Sequence, residues 1–169
     1  MIITDEKLLR VKCEDALPNE VGTIIDLLEQ ELKKSGSGIG LAAIQIGIPK
    51  NVAIVRINDK YSINLVNCRI AQKYDPEVFE DEGCLSFPGK FVKTMRYREI
   101  YVVDNMTETK SFIAQGLPAV VIQHELNHLQ GILLPDLEIK EQIKTKVRPN
   151  DPCSCKSGKK AKKCCFKDK

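Results

Sequence analysis

The chain has 169 residues and a mass of 19.0 kDa, a size that suits one compact domain with a small appendage rather than two full domains. Hydrophobic residues make up 43%, enough for an ordinary core, while 29% charged residues and no apolar run near the ~18 residues of a membrane span exclude a helical transmembrane protein. The formal charge of +3 conceals a division: residues 141–169 hold ten Lys/Arg and three Asp/Glu, a net +7, which leaves sixteen against twenty, or −4, for residues 1–140.

The first residues, MIITDEKLLR, bring acidic side chains at once and no apolar stretch follows, so a signal peptide is not expected and a cytoplasmic protein is. Val21, Ile24, Ile25, Leu28 and Leu32 then follow Pro18 and Asn19 at the spacing of an amphipathic helix, with Asn19 as its cap. Lys33 and Lys34 suit its last turn, and Ser35-Gly36-Ser37-Gly38 stops it. β-Branched runs at 52–57, 61–66 and 100–104, separated by turn signals such as Asn58-Asp59, predict strands of a mostly antiparallel sheet. A second helix begins near Pro118, a favoured first helical position, and ends at Gly131. A third, with Ile139, Ile143 and Val147 on one stripe, stops before Pro149, and Pro149-Asn150-Asp151-Pro152 reads as a linker. No internal repeat is visible. The expected fold class is α+β, with mostly antiparallel sheets packed around the second helix, plus a small C-terminal knuckle. The expected boundaries are a catalytic body at 1–147, a linker at 148–152 and a tail at 153–169.

The two histidines of the chain, His124 and His128, fall in His124-Glu125-Leu126-Asn127-His128 on the second helix. Four residues is a little over one turn, so both imidazoles project from one face at the spacing of two ligands on one metal, with Glu125 as a candidate base. A third ligand decides the enzyme class. A third His six residues on, the metzincin arrangement, is absent because that position is Leu134. A distant Glu, as in other HExxH proteases, is absent too, since the later glutamates are Glu138 and Glu141. Cys84 lies in Glu82-Gly83-Cys84-Leu85-Ser86-Phe87-Pro88-Gly89, a stretch that suits an irregular loop able to bring a thiolate to the metal. A body cysteine taken alone is as readily a small buried hydrophobe, and Cys13 and Cys68 are read that way.

Three segments in order, Gly38-Ile39-Gly40-Leu41-Ala42-Ala43-Ile44-Gln45, Glu82-Gly83-Cys84-Leu85-Ser86 and Gln123-His124-Glu125-Leu126-Asn127-His128-Leu129-Gln130-Gly131, resemble the three motifs of peptide deformylases. The resemblance covers roughly residues 1–147. It implies removal of the formyl group from formyl-methionyl nascent peptides at a divalent cation held by Cys84, His124 and His128. The family's usual metal is Fe²⁺, and Zn²⁺, Ni²⁺ or Co²⁺ can take its place. It also implies that the Gln45 amide and the Leu85 N–H donate to the charge that builds on the formyl oxygen. Gly38 and Gly40 would let the peptide approach the backbone closely, and Ile39, Leu117, Val120 and Val121 would line the methionine pocket. One departure is Asn127, where the family usually has Asp. A carboxylate there could pair with Arg96, and Asn keeps a hydrogen bond without the charge.

The tail places Cys153, Cys155, Cys164 and Cys165 within thirteen positions. So short a segment cannot bury a core, so its order must come from a metal, most simply tetrahedral Zn²⁺. The pattern resembles the SEC-C module, whose members often end in Cys-His where Cys165 stands here. Lys156, Lys159, Lys160, Lys162 and Lys163 make the tail strongly basic, and for an enzyme acting on nascent chains the expected partner is the ribosome, through rRNA or an exit-tunnel protein. Neither a membrane nor DNA is an expected partner. The competing readings are another metallohydrolase on the same scaffold and a catalytically silent zinc-binding adaptor.

Overall fold

The structure, a computed structural model, describes residues 1–58, 61–104, 111–140, 150, 153 and 157–164. The chain divides into two compact units, Met1–Ile139 and Lys140–Lys169. The first unit begins with a short helix α1 (Glu6–Leu9) and the long helix α2 (Pro18–Ser35). A three-stranded antiparallel sheet follows, β1 (Gly40–Ala42), β2 (Val52–Asn58) and β3 (Tyr61–Val66), with a 3₁₀ turn at Ala43–Ile46 between β1 and β2. A second antiparallel sheet joins β4 (Cys68–Cys84), β5 (Phe87–Asp104) and β6 (Ser111–Gln115), and helix α3 (Leu117–Leu129) closes the unit with a 3₁₀ turn at Leu134–Leu137. Among the described residues no helix is long and apolar enough to cross a membrane.

Strand β2 is buried on both faces, and its alternation divides the core. Val52 and Ile54 meet Ile24, Leu28 and Leu32 of α2, while Ala53 and Val55 meet Ala119, Val121, Ile122, Leu126 and Leu129 of α3. Ile100, Val102 and Ala114 of the second sheet join that latter cluster. Helix α3 is therefore packed against both sheets, and Gln123 fastens it to β5 by accepting from Tyr97 N–H (3.1 Å) and donating to Tyr97 O (2.8 Å). Cys13 is buried, and burial pushes its thiol up to about 11, as befits a core hydrophobe.

Three expectations need correction. Helix α2 starts before Asn19: Pro18 is its first residue, and Glu20 caps it by accepting from Leu17 N–H at 2.9 Å. The Gly- and Pro-containing stretch around Cys84 is not an irregular loop. Glu82, Gly83 and Cys84 end β4, Phe87, Pro88 and Gly89 open β5, and only Leu85 and Ser86 form the turn, because the ladder of the hairpin satisfies the backbone through residues that by themselves favour turns. Ile139 is not helical: its N–H donates to Lys93 O at 2.8 Å, and Glu138 forms a bridge with Thr94. Ile143 and Val147, the rest of that stripe, lie outside the described residues.

In the second unit Cys153 N–H donates to Lys159 O at 2.8 Å, so the chain turns back on itself through Ser157 and Gly158. A 3₁₀ turn at Ala161–Lys163 leads to Cys164, whose Sγ lies 3.3 Å from Ser157 Oγ. Cys155 and Cys165 lie outside the described residues.

Candidate metal centre

Pro118 in the first turn of α3 and burial on nearly every side set a helix whose polar residues must find partners inside. His124 and His128 meet edge to face, with Nε2 atoms 3.2 Å apart. Cys84 Sγ, delivered by the end of β4, lies 3.1 Å from His128 Nε2. One ligand atom from each of the three lies within 4.8 Å of the others, the sole such group of three His, Cys or acidic residues among the described residues.

A second set of contacts holds this one in place. Glu82, two residues before Cys84, accepts at Oε1 from His124 Nδ1 (2.6 Å), which fixes the ring with Nε2 turned toward His128. Glu82 Oε2 accepts from Thr94 Oγ1 (2.5 Å) and Arg96 Nε (2.7 Å), and a further Arg96 nitrogen reaches Oε1. Arg96 Nη1 donates to Asn127 Oδ1 at 2.6 Å. The expected Arg96–Asn127 contact is thus present, but the principal partner of Arg96 is Glu82.

Electrostatics follow from this packing. Burial pushes the Glu82 carboxyl up, but the bonds from Arg96 and His124 outweigh it and hold the group at about 2. Burial raises Glu125 to about 7. Burial and then the charge of His124 drive His128 down to about 3, which keeps its ring neutral, the form that ligates metal. For His124, burial works downward but the bonds to Cys84 and Glu82 prevail and raise it. Two buried polar atoms of this group, Glu125 Oε2 and His128 Nδ1, make no hydrogen bond among the described residues. A soft sulfur, two imidazoles with converging Nε2 atoms and a carboxyl group with one unpartnered oxygen beside them form a donor set that fits a divalent transition cation.

The cavity in front of this group measures about 560 Å³. Ile39, Gly40, Gln45, Leu85, Leu117, Val120, Val121 and Glu125 all line it together with Cys84 and His124, while His128 is not part of its wall. Gln45 is buried on the 3₁₀ turn. Its Oε1 accepts from Ala42 N–H (2.9 Å), so Nε2 faces Ser86 Oγ (3.1 Å) and Cys84 Sγ (3.7 Å). A Cβ at Gly40 would overlap Glu125 Oε1 and come within 2.9 Å of Val121 Cγ1, so β1 lies hard against the carboxylate. Sequence reasoning passed over Glu82, Thr94, Ser86 and Gln123. For Glu82 a signal existed: residues i and i+2 of a strand share a face.

A family model described as polypeptide deformylase matches residues 1–143. The chain belongs to the polypeptide deformylase family. It is an enzyme of the peptide deformylase type. A peptide deformylase of Syntrophomonas wolfei is 39% identical over 111 residues, spanning 64% of this chain and 72% of that one. One from Dictyoglomus turgidum is 36% identical over 132 residues, 77% and 82% of the two chains. Among solved structures, a probable peptide deformylase from Synechococcus phage S-SSM7 superposes with a TM-score of 0.72 at 35% identity, covering 81% of this chain and 98% of that one. The deformylase from Thermotoga maritima gives 0.71 at 27% identity, covering 83% and 97%.

Proposed function

We propose that the chain hydrolyses the N-formyl group of formyl-methionyl nascent peptides, releasing formate, with Cys84, His124 and His128 as metal ligands and Glu125 as base. The observation that carries this reading is the convergence of one cysteine sulfur and two imidazole nitrogens within 4.8 Å beside the buried Glu125. Bound there, Fe²⁺, or Zn²⁺, Ni²⁺ or Co²⁺ in its place, supplies Lewis acidity that makes water a nucleophile near neutral pH. Glu125 takes the proton of the attacking water and passes it to the leaving amine; a carboxyl raised to about 7 by burial is matched to both steps. Gln45 Nε2, fixed by the Ala42 contact, and the Leu85 N–H donate to the formyl oxygen as charge builds on it. Ile39, Leu117, Val120 and Val121 receive the methionine side chain, and Gly40 lets the peptide backbone come close.

For the tail, the proposed role is recruitment. Cys153, Cys155, Cys164 and Cys165 would bind Zn²⁺, and the turn that brings Cys153 N–H to Lys159 O supports a knuckle of that kind. Its lysines would dock to the ribosome in the cytoplasm. The test is formate release from formyl-Met peptides by the metal-loaded protein, with Glu125→Ala as control. Turnover that disappears in the variant supports the reading. No turnover with any of the four metals overturns it and leaves the zinc-binding adaptor. Ribosome co-sedimentation at physiological salt tests the tail, since equal sedimentation of a chain ending at residue 148 would exclude recruitment by it.

A further inference from the structure

A second cavity, of about 610 Å³, opens beside another face of α3 and shares no lining residue with the first. Its exposed rim carries Lys12, Arg69 and Lys73 against Asp15, and its walls include buried Cys13, Asn51 and Leu126. The lining charges sum to +2 on a body whose residues 1–140 sum to −4. Lys12 and Lys73, the latter with Nζ 5.4 Å from the centre of the Tyr97 ring, set a positive field at the mouth of the hollow that draws an anion, and Asp15 opposite them is engaged by Asn51 Nδ2 at 2.8 Å. The volume falls in the range of small-molecule sites, and Ile70, Leu126 and Ile132 add apolar wall.

The cavity is connected to the metal centre by hydrogen bonds. Asn127 lines it, and Asn127 Oδ1 accepts from Arg96 Nη1 at 2.6 Å. Arg96 Nε donates to Glu82 at 2.7 Å, and Glu82 lies 2.6 Å from His124 Nδ1. Three contacts therefore separate the wall of the second cavity from a ring of the first site, all within buried or half-buried groups.

We propose that this cavity is a regulatory site for a small phosphorylated molecule with an apolar body, whose occupancy changes how firmly His124 is held against the catalytic cation. The binding half of the proposal stands alone; the coupling half rests on His124 being a metal ligand. Phenyl phosphate supplies both features and serves as the probe, with the zinc-loaded full chain studied by calorimetry at constant ionic strength. The expected result is saturable one-to-one binding, at least about tenfold tighter than inorganic phosphate and weakened about tenfold or more by Lys12→Ala with Lys73→Ala. Basal formate release should be unchanged by those two substitutions. Saturation should change the rate of zinc loss to a chelator at least about threefold in the native chain, and Asn127→Ala should abolish that change. Absence of saturable heat overturns the site. Equal affinity in the lysine variant also overturns it, because the phosphate is then at the catalytic cation. Unaltered zinc loss at saturation overturns the coupling. None of these failures removes basal formate release, so they are distinct from failure of the deformylase reading.

Discussion

Replacing Glu82 by Gln tests whether the contacts behind the metal centre hold it together. Glu82 and Arg96 are 5% and 4% exposed, and the substitution leaves the guanidinium charge buried with no carboxylate against it. Removing one partner of such a pair costs about 3–5 kcal/mol. Titration leads to a similar size: a carboxyl held at about 2, against 4.5 unperturbed, corresponds to about 3 kcal/mol. The sign follows from the depressed pKa. This stability is present above pH 4.5 and disappears as pH falls from there toward 2. Urea denaturation of the zinc-loaded protein at neutral pH should show Glu82→Gln less stable by at least about 2 kcal/mol, and competition with a chelator should show zinc held about 10–100-fold more weakly, since His124 loses its carboxylate partner. The double variant Glu82→Leu, Arg96→Leu should recover most of the stability, because no charge is left buried, but not the metal affinity. A single variant within about 0.5 kcal/mol of the native chain, with zinc affinity unchanged, would refute the reasoning.

Other substitutions probe separate parts of the same design. Gly40→Ala places a methyl group onto Glu125 Oε1 and should lower kcat about 100-fold while KM and zinc content change little; an unchanged kcat would show that the carboxylate is not held by β1. Gly131→Ala should lower stability by at least about 2 kcal/mol, because φ is 72° and a Cβ would come within 2.7 Å of the Arg10 carbonyl oxygen, which denaturation measures directly. Leu28→Ala, fully buried between α2 and the first sheet, should cost about 2–5 kcal/mol in the same assay with kcat preserved. Gln45→Ala should reduce kcat about 100–1,000-fold with zinc still bound, the signature of a lost oxyanion donor.

The helix with its paired histidines was legible because its signals are local: Pro118 at the start, Gly131 past the end, and two imidazoles one turn apart. Cys84 was placed in the right neighbourhood but on the wrong kind of backbone. The second half of β4, Asp75-Pro76-Glu77-Val78-Phe79-Glu80-Asp81-Glu82, is mostly exposed and has no alternating apolar pattern, so its pairing with β5 has no period-two signature to read. The Glu82–Arg96 pair was hidden for the same reason: fourteen residues of sequence separate the two, and the hairpin sets Glu82 opposite Val92, so that Arg96, four residues further along β5, meets it only through its long side chain.

That pair also changes the meaning of Asn127. With Arg96 assigned to residue 127 alone, the loss of a carboxylate there looks like a weakened support. In the structure Arg96 already holds Glu82 by two of its nitrogens, and its third contact goes to Asn127 Oδ1 at 2.6 Å. One buried cation is thereby matched by one buried anion and one neutral acceptor. An Asp at 127 would set a second carboxylate on the same guanidinium, and Glu82, the group that orients His124, would have to share its charge. Asn127→Asp is therefore expected to weaken the hold on His124 rather than strengthen it. Slower zinc loss to a chelator from that variant than from the native chain would show that the centre needs the added charge, and faster loss would show that Asn is the residue this arrangement of Glu82 and Arg96 requires.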